Sequence, residues 1–196
     1  MKSKCFPLAV AAVMALASFA EAQEDGLFKI FPVYGDAKSP DNHYTSSGWM
    51  GDFGDIKFND KYLEKPHSGT TSIQVIYMNK ASQGARWAGI YWQNPPNNWG
   101  TRPGGYDLTG SKKLTFWARG EKGGESVSFQ FGLLGKDKTF FDTAQGKVDV
   151  KLTDAWQQYT IALEGKDLTR IKTGFACVVA ATGEPIVFYL DDIVYE

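Results

Sequence analysis

Cysteine is almost absent from this chain. Only Cys5 and Cys177 occur in 196 residues, so neither a disulfide framework nor a multi-cysteine zinc site is available to hold a fold together. Histidine is equally scarce, with only His43 and His67. These two lack the spacing of a helical zinc motif, and His67-Ser68-Gly69 reads as a turn rather than a strand-to-helix elbow. No phosphate-cradling loop and no dinucleotide fingerprint is present. Neither sign of charge predominates: Lys plus Arg number 21 and Asp plus Glu 22, a formal charge of -1. That balance cannot drive binding to a nucleic-acid backbone or an anionic membrane, and it argues against a polyanionic partner. No hydrophobic run reaches the ~20 residues of a spanning helix. The composition, 43% hydrophobic and 22% charged, is that of a globular chain and of no disordered, collagen-like or coiled-coil one. Its length suits a single domain.

The first residues read as a leader rather than as fold. Lys2 and Lys4 precede an apolar run from Phe6 to Ala20 broken only by Pro7 and Ser18, and Ala20-Glu21-Ala22 supplies a small-x-small cleavage site. This is the pattern of a secretory signal peptide over residues 1–22, with a mature chain that is secreted or periplasmic. Cleavage takes two of the 21 cations and one of the 22 anions, leaving 174 residues with a charge of -2. It also removes Cys5, so Cys177 is the only thiol of the mature chain and is expected to be a small buried hydrophobe.

After residue 22 no long helical period appears. Short runs rich in Val, Ile, Phe, Tyr, Trp and Thr recur between clusters of Gly, Pro, Asn and Asp, which predicts strands over 27–33, 71–77, 86–93, 113–119, 126–133, 147–151, 157–163, 173–179 and 186–195. Strands without intervening helices predict an all-β fold, a two-sheet antiparallel β-sandwich of jelly-roll type. Alternation assigns their faces. Leu114, Phe116 and Ala118 point inward with Val127, Phe129 and Phe131, whereas Thr115, Trp117 and Arg119 point outward with Ser126, Ser128 and Gln130, so Trp117 stands on a polar face. The stretch from Asp36 to Asp60 is long and irregular, and either functional or hiding a short strand at Gly48–Gly51.

Four of the six tryptophans, Trp49, Trp87, Trp92 and Trp99, lie within about fifty residues, interleaved with Tyr91, Tyr106, Gln93, Asn94, Asn97, Asn98 and Arg102. Sugar rings require this combination, because their C–H faces stack on aromatic rings while their hydroxyls pair with amide and guanidinium groups. Alternation puts Ala88, Ile90 and Trp92 on the core side and Trp87, Tyr91 and Gln93 on an exposed platform. Trp99 lies in a Pro/Asn/Gly loop, where a large aromatic either caps the core or meets a ligand, and Trp156 reads as packing. Asp191 and Asp192, inside an apolar β-run, bring at least one carboxylate near the core. Its partner is either a cationic side chain or a hard cation such as Ca²⁺, with Asp60 and carbonyls of the Pro66–Gly69 turn as further ligands.

Several segments together carry a resemblance. Gly104-Gly105-Tyr106-Asp107-Leu108-Thr109-Gly110 followed by Leu114-Thr115-Phe116-Trp117-Ala118-Arg119-Gly120, the run from His67-Ser68-Gly69 to Ser72-Ile73-Gln74-Val75, Trp156 to Leu163, and Phe188-Tyr189-Leu190-Asp191-Asp192-Ile193 are similar to jelly-roll carbohydrate-binding modules of the galactose-binding-like type. The resemblance implies a structural Ca²⁺ held in part by Asp192, and a sugar site on the concave sheet face or the loops at one end. Such modules are commonly attached to an enzyme, which implies action beside a separate glycan-degrading enzyme. The expectation is a non-catalytic exported protein that binds a polysaccharide or oligosaccharide through Trp87, Tyr91, Gln93, Trp99, Arg102 and Tyr106. Two alternatives stand beside it: a small glycan hydrolase or lyase with paired carboxylates, and a protein-binding adhesion module.

Overall fold

A computed structural model describes residues 28–196; the leader expected at 1–22, and Leu27 of the first expected strand, lie outside them. The strands run β1 (Phe31–Tyr34), β2 (Thr45–Gly51), β3 (Ile56–Tyr62), β4 (Ser72–Tyr77), β5 (Trp87–Gln93), β6 (Lys113–Gly120), β7 (Ser126–Phe131), β8 (Gly146–Lys151), β9 (Gln157–Ala162), β10 (Thr173–Ala180) and β11 (Ile186–Tyr195), with a single 3-10 turn at Phe53–Asp55. One sheet has the order β3-β4-β11-β6-β9 and the other β2-β5-β10-β7-β8. Every pairing is antiparallel. The ten-residue β11 serves two neighbours on one edge, pairing β4 from Ile186 to Leu190 and β1 from Ile193 to Tyr195. The architecture is the all-β sandwich that the sequence predicts.

Inward residues of the two sheets meet in one core. Leu114, Phe116, Ala118, Val127, Phe129 and Phe131 are all buried, as alternation requires. The rings of Phe116, Phe129 and Phe175 pack at centroid distances from 4.5 to 5.8 Å. Each such phenylalanine contributes roughly 1.5–3 kcal/mol by leaving water. Cys177 lies in the same core, where burial pushes its thiol up to about 12.

With no disulfide, buried carboxylates fasten the turns. Asp52 accepts the N–H groups of Gln83, Ala85 and Arg86 together with the Tyr77 hydroxyl. Asp142 accepts those of Leu134, Lys172 and Thr173, and the Thr173 hydroxyl at 2.5 Å. Asp36, only half-buried, holds the N–H groups of Thr70 and Thr71 in the same way. Satisfied in this way, a buried carboxylate pins a loop rather than destabilising it.

The stretch from Asp36 to Asp60 is more ordered than expected. It contains all of β2 and most of β3, which pair with β5 and β4. Thr45-Ser46-Ser47-Gly48 has too few large side chains to read as a strand, because one side of it lies under Tyr91 and Gln93. Strand β3 does carry an alternation, Ile56 and Phe58 against Lys57 and Asn59, but the polar side of an edge strand dilutes it.

Candidate functional site

Strand β5 divides its residues between two surfaces. Ala88, Ile90 and Trp92 are buried in the core, while Trp87, Gly89, Tyr91 and Gln93 alternate with them toward the outside of the five-stranded sheet. Register extends that outer face across the strands. Gly48, Tyr91, Ala176, Gln130 and Lys147 pair in one row, and Met50, Gly89, Val178, Ser128 and Asp149 in the next. The middle of the face is therefore built of small side chains between an aromatic column on β5 and polar ones on β7 and β8. Beside the column, over β10, β7 and β8, lies a groove of about 420 Å³ lined by Ser126, Ser128, Asp149, Lys151, Val178 and Ala180, among others.

The loop after β5 brings Trp99 to the end of the aromatic column. Trp99 is 37% exposed and meets Tyr91 edge-to-face, with ring centroids 5.9 Å apart. Its position is set by side chains that hydrogen-bond the loop's backbone. Gln93 Nε2 donates to the Asn98 carbonyl and Gln93 Oε1 accepts from Ser47 Oγ. Asn98 Nδ2 donates to the Arg102 carbonyl, and so does the Nζ of the fully buried Lys172. Burial, only partly offset by Asp142, lowers the Lys172 ammonium below its usual value.

The expected platform thus divides by role. Trp87, Tyr91 and Trp99 share one surface, and Arg102 stands exposed at its rim with one guanidinium N–H on the Pro96 carbonyl at 2.5 Å. Gln93 is 1% exposed and its amide is spent on the loop. Tyr106 lies elsewhere: its hydroxyl donates to the His43 carbonyl and accepts from Asn94 Nδ2, and its ring packs on Phe31 and Tyr44. Tyr91 is almost fully buried by Trp99 and its neighbours, which pushes its hydroxyl up to about 12. Ser126, Ser128, Gln130, Lys147, Asp149 and Lys151 were outside the expected set, although alternation already placed the first three on an outer face. No sequence signal joins β7 and β8 to β5, because β10, far along the chain, inserts between them.

The opposite sheet carries Trp117 and the acidic pair on its outer face. Trp117 stacks on His67 at 3.7 Å and 15°. His67 Nδ1 and Ser68 Oγ occupy the two oxygens of Asp192 at 2.7 and 2.8 Å. Asp191 accepts the His67 and Ser68 N–H groups, while burial, reinforced by the charge of Asp192, pushes it up to about 7. Asp60 presents its carbonyl to the Tyr34 hydroxyl. A calcium ion takes roughly six to eight oxygen ligands. Here the Pro66–Gly69 turn aims N–H groups, not carbonyls, at the carboxylate, and Asp192 is filled by protein donors. No cluster of three or more metal-ligating side chains occurs among the described residues. Asp192 and Asp60 therefore do not fit the calcium site expected of them; the acidic pair finds its partners in the turn.

No protein-family model and no curated protein sequence matches the chain. Solved structures do. A family 30 carbohydrate-binding module is similar over 86% of this chain and 98% of its own, at 14% identity and a TM-score of 0.59. The family 30 module of a cellulosomal cellulase of Clostridium thermocellum matches over 86% and 97%, at 14% identity and a TM-score of 0.57. A family 29 module complexed with cellulohexaose matches over 85% and 89%, at 11% identity and a TM-score of 0.51. The chain shares the fold of these carbohydrate-binding modules.

Proposed function

We propose that this protein binds a glycan chain on the outer face of the β2-β5-β10-β7-β8 sheet, without itself cleaving it. The observation that carries the reading is that Trp87, Tyr91 and Trp99 share the outer face of one sheet with a groove over β10, β7 and β8, within the fold of carbohydrate-binding modules. Trp87 and Trp99 would stack on the C–H faces of sugar rings, with Tyr91 bracing Trp99 from below. Arg102 at the rim and Ser126, Ser128 and Gln130 on β7 would read hydroxyls. Gly48 and Gly89 matter by absence, since a side chain at Gly48 would press on Tyr91 and Gln93 and one at Gly89 on Val178. The leader at 1–22 would export the protein to where polysaccharides occur, beside a separate glycan-degrading enzyme.

The test is affinity electrophoresis and calorimetry on a panel of soluble β-glucans, mannans and xylans, with cello- and manno-oligosaccharides. The reading expects saturable binding of at least one polymer. Trp87→Ala and Trp99→Ala should each lower that affinity while leaving the melting temperature nearly unchanged. Unchanged affinity in both variants would falsify the site.

A further inference from the structure

The side of the groove away from the aromatic column carries charge. Lys147, Asp149 and Lys151 alternate along β8 on the same outer face, opposite Gln130, Ser128 and Ser126 of β7. Lys147 pairs with Asp149 at 3.1 Å. Asp149 is held below the usual carboxylate range by the Ser128 hydroxyl first and Lys147 second. Lys151 has no carboxylate partner among the described residues. The groove wall thus carries one cation in excess, placed beside the apolar floor of Val178 and Ala180.

The rows of the sheet relate that cation to the aromatic column. Trp87 pairs with Ala180, Ser126 pairs with Lys151, and Ala180, Ser126 and Lys151 line the same groove. Strand β8 is three strand spacings from β5, or about 14 Å at the usual interstrand distance. A glycan chain stacked on both Trp87 and Trp99 runs along β5, so it is a branch leaving the chain at Trp87 that would cross Ala180 and reach Lys151, a few sugar rings away. A neutral sugar there would leave the ammonium with no charge to pair. A sugar with a carboxylate on its ring would lay its C–H face on Val178 and Ala180 and its anion on Lys151.

We propose that the groove selects glycan chains bearing uronic acid units, with Lys151 pairing the carboxylate. This rests on the glycan-binding reading and specifies its ligand. The balanced charge of the whole chain does not oppose it, because the interaction is local, acting within the screening distance of about 10 Å at 0.1 M salt.

The test compares carboxylated polysaccharides (glucuronoxylan, polygalacturonate and alginate) with the same polymers after chemical reduction of their carboxyl groups. At low salt, at least one acidic polymer should bind about threefold to fivefold more tightly than its reduced form, which is what a partly exposed ion pair supplies. Lys151→Ala, and 0.5 M NaCl, should each erase the difference between the acidic polymer and its reduced form. Equal binding of acidic and reduced forms, or a preference that survives Lys151→Ala, overturns the uronate assignment and leaves the aromatic platform standing. Failure of every acidic, reduced and neutral polymer to bind overturns both.

Discussion

Trp87 and Trp99 differ from the other tryptophans in how their rings are used. Trp49 and Trp92 meet Phe58 edge-on, Trp117 stacks on His67, and Trp156 lies under Arg119 while its Nε1–H donates to the Lys65 carbonyl. Trp87 has no aromatic partner among the described residues, and Trp99 meets only Tyr91, at its edge. Truncating either ring should therefore lower glycan affinity about tenfold or more, as loss of a central aromatic contact does. Trp92→Ala should instead cost roughly 3–5 kcal/mol of stability, read in a denaturant titration, because it empties the core. Asp52 makes a second prediction at this scale. Burial would raise its carboxyl, but the N–H groups of Ala85, Arg86 and Gln83 outweigh that and hold it below the usual range. A depressed native pKa gives stability that is present above the unfolded value near 4 and is lost as pH falls below it. The gap in melting temperature between the protein and Asp52→Asn should thus be constant from pH 8 to pH 5 and shrink below about pH 4; a gap independent of pH contradicts the assignment.

Strand β2 shows how an element can be essential and nearly silent in sequence. A Cβ on Gly48 would come within 2.9 Å of the Tyr91 Cβ and 3.0 Å of Gln93 Cδ. Gly48→Val should displace Tyr91 and tilt Trp99, weakening glycan binding several-fold more than the far-face substitution Thr160→Val; equal effects would separate β2 from the site. The nine strands expected from alternation are all present because they carry large apolar residues on their inward side, as Leu114, Phe116 and Ala118 do on β6. Of β2 only Gly48–Gly51 was open to reading as a strand, and Thr45–Ser47 escaped because its residues are small and polar. The candidate site was legible to the same extent and for the same reason. Trp87, Tyr91 and Trp99 are conspicuous and local in sequence, whereas the β7 and β8 wall joins them only through the order in which β10 enters the sheet. Gln93 and Tyr106 look like ligand contacts in the sequence, but their polar groups serve the loop after β5 and the His43 backbone.

At the scale of the whole molecule, the two faces of the sandwich do different work. The face over β6 and β11 is closed by its own turn, with His67 on Trp117 and both aspartates of β11 bound by donors of the Pro66–Gly69 segment. Protein donors fill those carboxylates, so EDTA should leave the melting temperature where millimolar calcium leaves it; a drop of several degrees on chelation would show that the turn is held by a metal after all. The face over β5, β10, β7 and β8 remains an open groove. The most direct test of that division is a nuclear magnetic resonance titration of the protein with the tightest-binding oligosaccharide of the panel, following the six indole N–H resonances, one per tryptophan. The account predicts that those of Trp87 and Trp99 move saturably while those of Trp117 and Trp156 stay fixed. Movement confined to Trp117 and Trp156 would place the ligand on the other sheet and contradict it.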